Sequence, residues 1–388
     1  ENPTVLSLVM YLIIGSGIVA FCVKKRKYGN PYCMLISMFL VISVVFVRYT
    51  AGGVGISALL EFLACIMLAY LAVCIDREHF SSRMINIVCC FAAISIVCYV
   101  IQIVSPEILK LFFKSYKSSF TYNDWSAAEY GGSAVKHAFN AWGKLLYSMR
   151  EGEMSRNKGI YSEPGNYQIV LNSALFILLF LPKYHSFSPK QLKMRAIILF
   201  TAVLTCQSTT GYLILLTFVI AFFISEKKYE DMLSVRHAIK VLIFVAIIAL
   251  ILDYSFRGNE SLLNTAILSK VFNNGSIDIS TSTGYWRLGA IGASAILMIT
   301  HPLGVGYDIT LSTIQNSLVG AAGGALMTFG AALGIIPFIA TILWHTKPIL
   351  SGKTLGIPEK IAFMVMYFQT SFAQTKVFYP YLVSIVVL

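Results

Sequence analysis

Apolar stretches about as long as a bilayer-spanning helix recur along almost the whole chain, separated by short basic loops, and nothing else in the sequence restricts the fold as strongly. A transmembrane helix needs about 20 mostly apolar residues. Stretches of that kind fall near 4–23, 31–47, 54–75, 84–104, 166–182, 239–253, 320–345, 359–375 and 377–388. Between 196 and 224 an apolar run is broken by Gln207-Ser208-Thr209-Thr210-Gly211, which predicts two short helices joined by a polar turn. The expectation is an all-α, polytopic transmembrane helical bundle of about eleven helices, forming a single integral membrane domain over residues 1–388.

Composition agrees with that reading. The 388 residues are 57% hydrophobic and 12% charged, about half the charge of a soluble domain, which is roughly 25%. A mean hydropathy of +0.74 cannot be hidden inside one globular core, because a soluble chain must still cover its surface with polar groups. The net charge of +12 does not point to nucleic acid, since the basic residues lie in loops between apolar segments and not along one polar face. The eight cysteines fall in or beside apolar stretches with no C-x-x-C pair, so neither a disulfide framework nor a zinc site is expected. The stretch from Val5 is too long and too lightly flanked for a signal peptide, and because the chain opens at Glu1 a preceding helix is allowed for.

Orientation follows from the short loops, where Lys and Arg mark the cytoplasmic side. One alternate set of loops holds Lys24-Lys25-Arg26-Lys27, Arg77 and Arg83, Lys183 to Arg195, Lys227 to Lys240, and Lys347, Lys353 and Lys360. The opposite set has few basic residues in its short connections but includes two long loops, at about 105–165 and 254–319. Both are therefore expected outside, where a polar substrate is handled. The clusters Ile108–Phe113 and Ala138–Trp142, mixed with Lys110, Lys114, Lys117, Lys136 and Lys144, predict short amphipathic helices beside lipid headgroups. The second loop is polar from Asp253 to Gly284 and then helical, with Gly289, Gly292 and Ala293 forming a small-residue face expected to pack on another helix or a lipid. The pairs Gly320/Gly324 and Gly330/Gly334 fit close helix packing.

The phosphate loop G-x-x-x-x-G-K-[ST], H-E-x-x-H, G-x-S-x-G and D-x-D do not occur, which argues against ATPase, zinc protease and serine hydrolase readings. The close acidic pair Glu151-Gly152-Glu153 is better explained by a solvated loop than by a metal clamp.

The remaining polar residues fall at outer helix ends in a definite order. Arg156-Asn157-Lys158-Gly159-Ile160-Tyr161-Ser162-Glu163-Pro164-Gly165 leads into an apolar helix, and Thr205-Cys206-Gln207-Ser208-Thr209-Thr210-Gly211-Tyr212-Leu213 follows at the helix hairpin. Then come Tyr285-Trp286-Arg287, Thr300-His301-Pro302-Leu303-Gly304-Val305-Gly306-Tyr307-Asp308, and Gln315-Asn316-Ser317-Leu318. Over roughly 156–336 this succession resembles the O-antigen polymerase and O-antigen ligase superfamily.

The resemblance implies a metal-independent, GT-C-like membrane glycosyltransferase of the bacterial cytoplasmic (inner) membrane, with its active site facing the periplasm or outside and with no cofactor. Donor and acceptor would be undecaprenyl-diphosphate-linked oligosaccharides, with membrane lipids and, by the same resemblance, a chain-length regulator and a flippase as partners. Guanidinium forks stabilise a departing diphosphate, so Arg287 is the first candidate for diphosphate binding, followed by Arg156 and Arg257. Snorkelling to headgroups, or an ordinary exposed loop charge, is the other use of such arginines. Glu163, His301 and Asp308 are candidates to take the acceptor proton, against helix capping for Glu163 and helix termination for His301. Tyr307, Gln315, Asn316 and Gln207 are candidates for the sugar site. Within Gln207-Ser208-Thr209, capping of the hairpin is the favoured role. Ligases of this superfamily carry a His where Gln315-Asn316 falls, and an amide cannot accept a proton usefully at neutral pH. A surface-polysaccharide polymerase is therefore expected ahead of a ligase acting on lipid A core. A transporter or flippase of lipid-linked glycans is the reading from another class.

Overall fold

The structure is a computed structural model describing residues 31–51, 56–114, 117–124, 135–143, 146–151, 155–161, 163–225, 233–258, 261, 272–273, 276–277, 283–314, 324–374 and 377–388. Fourteen α-helices dominate the described residues. They are α1 Pro31–Thr50, α2 Ile56–Ile75, α3 Phe80–Val104, α4 Pro106–Phe112, α5 Pro164–Phe180, α6 Pro189–Thr205, α7 Thr209–Ile224, α8 Leu233–Arg257, α9 Thr283–Thr300, α10 Tyr307–Ile314, α11 Ala325–Leu333, α12 Ile335–Ser351, α13 Ile357–Ala373 and α14 Pro380–Val387. Between α4 and α5 lie strands β1 Ser118–Asp124, β2 Val135–Trp142 and β3 Met149–Arg150, and β4 Phe272–Asn273 pairs with β5 Ser276–Ile277.

The outer faces of the long helices are apolar. On α1, Met34, Leu35, Met38, Val41, Ile42, Val45 and Phe46 are exposed while Cys33, Ile36, Leu40, Val44 and Val47 are buried. On α8 the exposed stripe is Val241, Phe244, Val245, Ile248, Ile251 and Leu252. Continuous apolar stripes of this length would not survive in water, and the chain is a membrane protein. Cys33–Thr50, Phe80–Val104 and Val235–Phe256 are long and apolar enough to cross a bilayer, whereas α5, α7 and α12 are shorter apolar helices of 16 or 17 residues.

The chain divides into two compact units. Unit 1 comprises 1–81, 287–355 and 371–388, and unit 2 comprises 82–286 and 356–370.

In unit 2, α5 is the central helix, with almost every residue from Tyr167 to Phe180 buried. Pro164 opens it at a position where a missing N–H costs nothing. Phe176 meets Phe218 of α7 at 5.7 Å and Phe363 of α13 at 5.6 Å, and Phe180 meets Phe218 edge-on, so the centre is an aromatic cluster. The expected hairpin within 196–224 is present as α6 and α7. Ser188 and Gln191 close a capping box at the start of α6, and Ser208 caps α7 through the Gly211 N–H.

In unit 1, the apolar run 320–345, expected as one crossing, is instead two helices over its described part. Gly334 lies at φ +100° between α11 and α12, and the chain folds back there, so that Phe338 comes within 2.8 Å of where a Gly330 Cβ would stand. The turn is clamped by the Pro302–Gly306 loop. Val305 and Gly306 donate to Ala331 and Ala332, carbonyls of the last turn of α11, and Ile335 donates to Pro302. Gly304 and Gly306, at φ +88° and +83°, let that loop bend. Phe378 stacks on His345 and meets Phe329 and Phe62, binding α2, α11, α12 and the approach to α14. The expected crossing at 377–388 is, in its helical part, the eight-residue α14, about 12 Å long and buried.

Two further expectations change. Among the described residues of the first long loop only α4 is an α-helix, and Ala138–Trp142 belongs to β2, paired with β1 in the register Phe120↔Phe139. Ser, Thr and Asn among aromatic residues favour a strand over a helix once a partner is in register. The helix α8 runs on to Arg257, past the predicted loop start. On α9 the buried residues among those described are Ala290, Ser294 and Met298, and a Cβ at Gly292 would meet open space, so no neighbouring helix packs against that glycine.

Gly334→Ala is expected to destabilise by about 1–3 kcal/mol, because its φ is left-handed and its Cβ would stand 2.7 Å from the Pro302 oxygen. Gly292→Ala should leave stability unchanged or raised. Thermal unfolding of both variants in detergent checks this, and equal midpoints would contradict the clamp at Gly334.

Candidate functional site

The sequence places Ser95, Tyr99 and Gln102 at i, i+4 and i+7 of α3, a polar stripe within an apolar helix. In unit 2 this stripe meets the loop 155–161 and the α6–α7 turn. Asn157, fully buried, is the knot. Its amide nitrogen donates to Thr205 Oγ1 at 2.9 Å and to Ser95 Oγ at 3.2 Å, and its side-chain oxygen accepts from Gly159 N at 3.0 Å. Its backbone N–H donates to the Thr205 carbonyl at 3.0 Å. One side chain therefore ties α3, the end of α6 and its own loop together.

Around it the contacts continue. Ser95 and Tyr167 share a 2.8 Å hydroxyl contact, and Tyr161 stacks on Tyr167. Gly159, at φ +54°, lies so close to the Tyr167 ring that a Cβ would stand 2.7 Å from it, which leaves room for glycine alone. Tyr99 donates to the Ser155 carbonyl at 2.9 Å, and Gln207 Nε2 donates to the Tyr99 hydroxyl at 3.3 Å. Tyr147 donates to Gln102 Oε1 at 3.0 Å, and burial pushes its phenol above the ordinary range.

Two cations stand in this loop. Arg156 is half-buried and donates through Nη2 to the Gln207 carbonyl at 3.2 Å. Lys158 is fully buried. Gln207 carries φ +50°, the only positive φ of a non-glycine residue among the described residues, and Ser208 next to it caps the N-terminus of α7. A basic loop beside a capped helix start suits an anionic group.

The sequence-predicted residues separate between the two units. Arg156 and Gln207 are brought together in unit 2. Glu163 is exposed at the start of α5, where its carbonyl accepts from Asn166 and Tyr167 while its carboxylate caps nothing. Arg257 ends α8 in the same unit, and its side chain lies outside the described residues.

In unit 1, Arg287 stands on α9, its side chain likewise outside the described residues. His301 is exposed, with Nδ1 at 2.9 Å from Thr300 Oγ1. It lines an open cleft of about 580 Å³ with Thr50, Ala51, Leu297, Thr300 and the Pro302–Val305 loop. Tyr307 packs its ring 6.2 Å from Phe62, and Asp308 is exposed in the first turn of α10. Gln315 and Asn316 lie outside the described residues.

Sequence reasoning singled out Arg156 and passed over Asn157 and Lys158 beside it; the period of Ser95, Tyr99 and Gln102 was the available signal. In the sheet, Glu151 accepts from the Asn140 backbone N–H at 3.1 Å and from its side-chain amide at 2.9 Å, and these two bonds hold its carboxyl below the ordinary range. Among the described residues no group of three His, Cys, Asp or Glu is arranged to hold a metal ion. Comparison with family models, curated proteins and solved structures returned no match.

Asn157→Ala is expected to cost about 1–3 kcal/mol by leaving buried donors and acceptors unpaired, and to speed amide exchange at Gly159. Exchange mass spectrometry reads both effects, and unchanged protection would contradict the knot. Glu151 titrates lower in the folded sheet than in the unfolded chain, so its tie to Asn140 is present above the ordinary carboxylate range and lost as pH falls through the folded value. Exchange of the 135–150 segment should therefore rise on acidification in the wild type, and a Glu151→Gln variant should lack that acid-side step.

Proposed function

We propose that the chain is a membrane glycosyltransferase that polymerises a surface polysaccharide. In this reading a glycan moves from a polyprenyl-diphosphate donor to a lipid-linked acceptor on the outer side of the bacterial cytoplasmic membrane. The observation that carries it is the Arg156–Lys158 loop, which puts a half-buried and a buried cation beside the start of α7 in a chain whose exterior is apolar. Basic side chains beside a helix start attract an anionic group, and the diphosphate of a lipid-anchored donor would reach them from the bilayer. Arg156 would hold the diphosphate as a fork, with the α7 start helping. Arg257, in the same unit, remains a proposed further diphosphate ligand and Glu163 a proposed proton acceptor, while Arg287, His301 and Asp308, in unit 1, stand as candidates for those roles from the sequence alone. The acceptor hydroxyl attacks the anomeric carbon, its proton passes to the base, and the anomeric carbon–oxygen bond to the diphosphate breaks.

Transport of a lipid-linked glycan is the second reading, and the observation favouring it is the set of buried polar residues Gln168, Asn172 and Ser173 in the middle of α5. Transfer to lipid A core is the third outcome to be separated.

Purified protein in lipid, given a polyprenyl-diphosphate repeat unit alone, is expected to build a glycan ladder. Arg156→Ala should slow it by about tenfold or more, the loss of a charged hydrogen bond, and Arg156→Lys should restore part of the rate. Wild-type rate in Arg156→Ala would remove the assigned role. A missing ladder with donor translocation across vesicles would favour transport, and one restored by lipid A core would favour the ligase.

A further inference from the structure

We propose that the side-chain amides of Gln168 and Asn172, at the centre of unit 2, hold an internal water molecule that bridges them. Both residues are fully buried on α5, one helical turn apart on the same face. Asn172 Nδ2 donates to Gln168 Oε1 at 2.7 Å. That leaves Gln168 Nε2 and Asn172 Oδ1 buried without a hydrogen-bond partner, an unfavourable state that native interiors relieve with ordered water.

The amide orientations do not alter the argument. If both amides are turned over, the existing bond reverses and the unpartnered atoms become Gln168 oxygen and Asn172 nitrogen. Either way the pair offers one donor and one acceptor. A cation is repelled by the NH2 group and an anion by the carbonyl, so the complement is a group that both donates and accepts. Both residues are fully buried, and water is the smallest group that both donates and accepts.

The site is also fixed in place. A Cβ on Gly211 would stand 3.2 Å from Gln168 Cβ, so α7 lies directly on the Gln168 stem. Ser173, the neighbouring buried hydroxyl, is not required, because a serine in a helix can turn to its own preceding-turn carbonyl. The inference stands apart from the enzymatic reading.

Hydroxyl-radical labelling of the reconstituted protein tests it, since radicals generated from an internal water mark buried side chains beside it. Residues 167–176 of the wild type are expected to be labelled several-fold above the buried Ile214, Leu215, Phe218 and Phe222 of α7. A Gln168→Leu/Asn172→Leu variant, which removes both unpartnered groups, should lose that excess while its unfolding midpoint stays level or rises. Absence of excess labelling in the wild type, or equal excess in the variant, would overturn the proposal. If the double variant does not fold, density between the two amides in a map that resolves waters decides: a peak within hydrogen-bond reach of both supports the site, and its absence refutes it.

Discussion

Unit 2 depends on one buried amide. Asn157 bonds at once to α3, to the end of α6 and to its own loop, and a chain with an apolar exterior has few other means of fixing a polar loop to its helix ends. In water such a loop would be held loosely and solvated. Here Asn157 is fully buried, so its donors and acceptor must be matched inside the protein. The same constraint sets the positions of Tyr99, Tyr147, Gln102 and Tyr167, each of which spends its polar atom on the network while its ring or stem fills apolar space. Arg156 and Lys158 flank the knot, so their side chains spring from a backbone that is tied down at Asn157.

Unit 1 rests on a different device. The Pro302–Gly306 loop supplies backbone N–H groups to the end of α11 and thereby lets a mostly apolar run reverse at Gly334. That reversal places His301 at the lip of the cleft. The two units thus present polar chemistry by opposite routes, one by side chains buried in a network and one by backbone groups at a turn.

Much of the helical layout was legible because apolar length is a local signal. The α6–α7 hairpin was legible too, since Gln207 and Ser208 interrupt the run and Ser208 caps α7. The reversal at Gly334 was not, because no polar residue marks it and its support comes from residues some thirty positions away. The β1–β2 hairpin was missed for a similar reason: Ala138 to Trp142 looks amphipathic by itself, and only pairing with Ser118–Asp124 makes it a strand. In the site, Arg156 and Gln207 stood out as charge and polarity at helix ends. Asn157 did not, although it lies in the same motif, because an uncharged amide in a loop carries no signal until its three partners are known. Ser95, Tyr99 and Gln102 were hidden by averaging over an apolar window, despite a clear helical period.

The measurement that bears most directly on the account is ligand binding to the purified protein in nanodiscs by native mass spectrometry, comparing a polyprenyl diphosphate, the monophosphate and the free polyprenol. The account predicts saturable binding that strengthens in the order alcohol, monophosphate, diphosphate, and that loses this preference in an Arg156→Ala variant that remains folded. Equal binding of the three lipids by the wild type would contradict it.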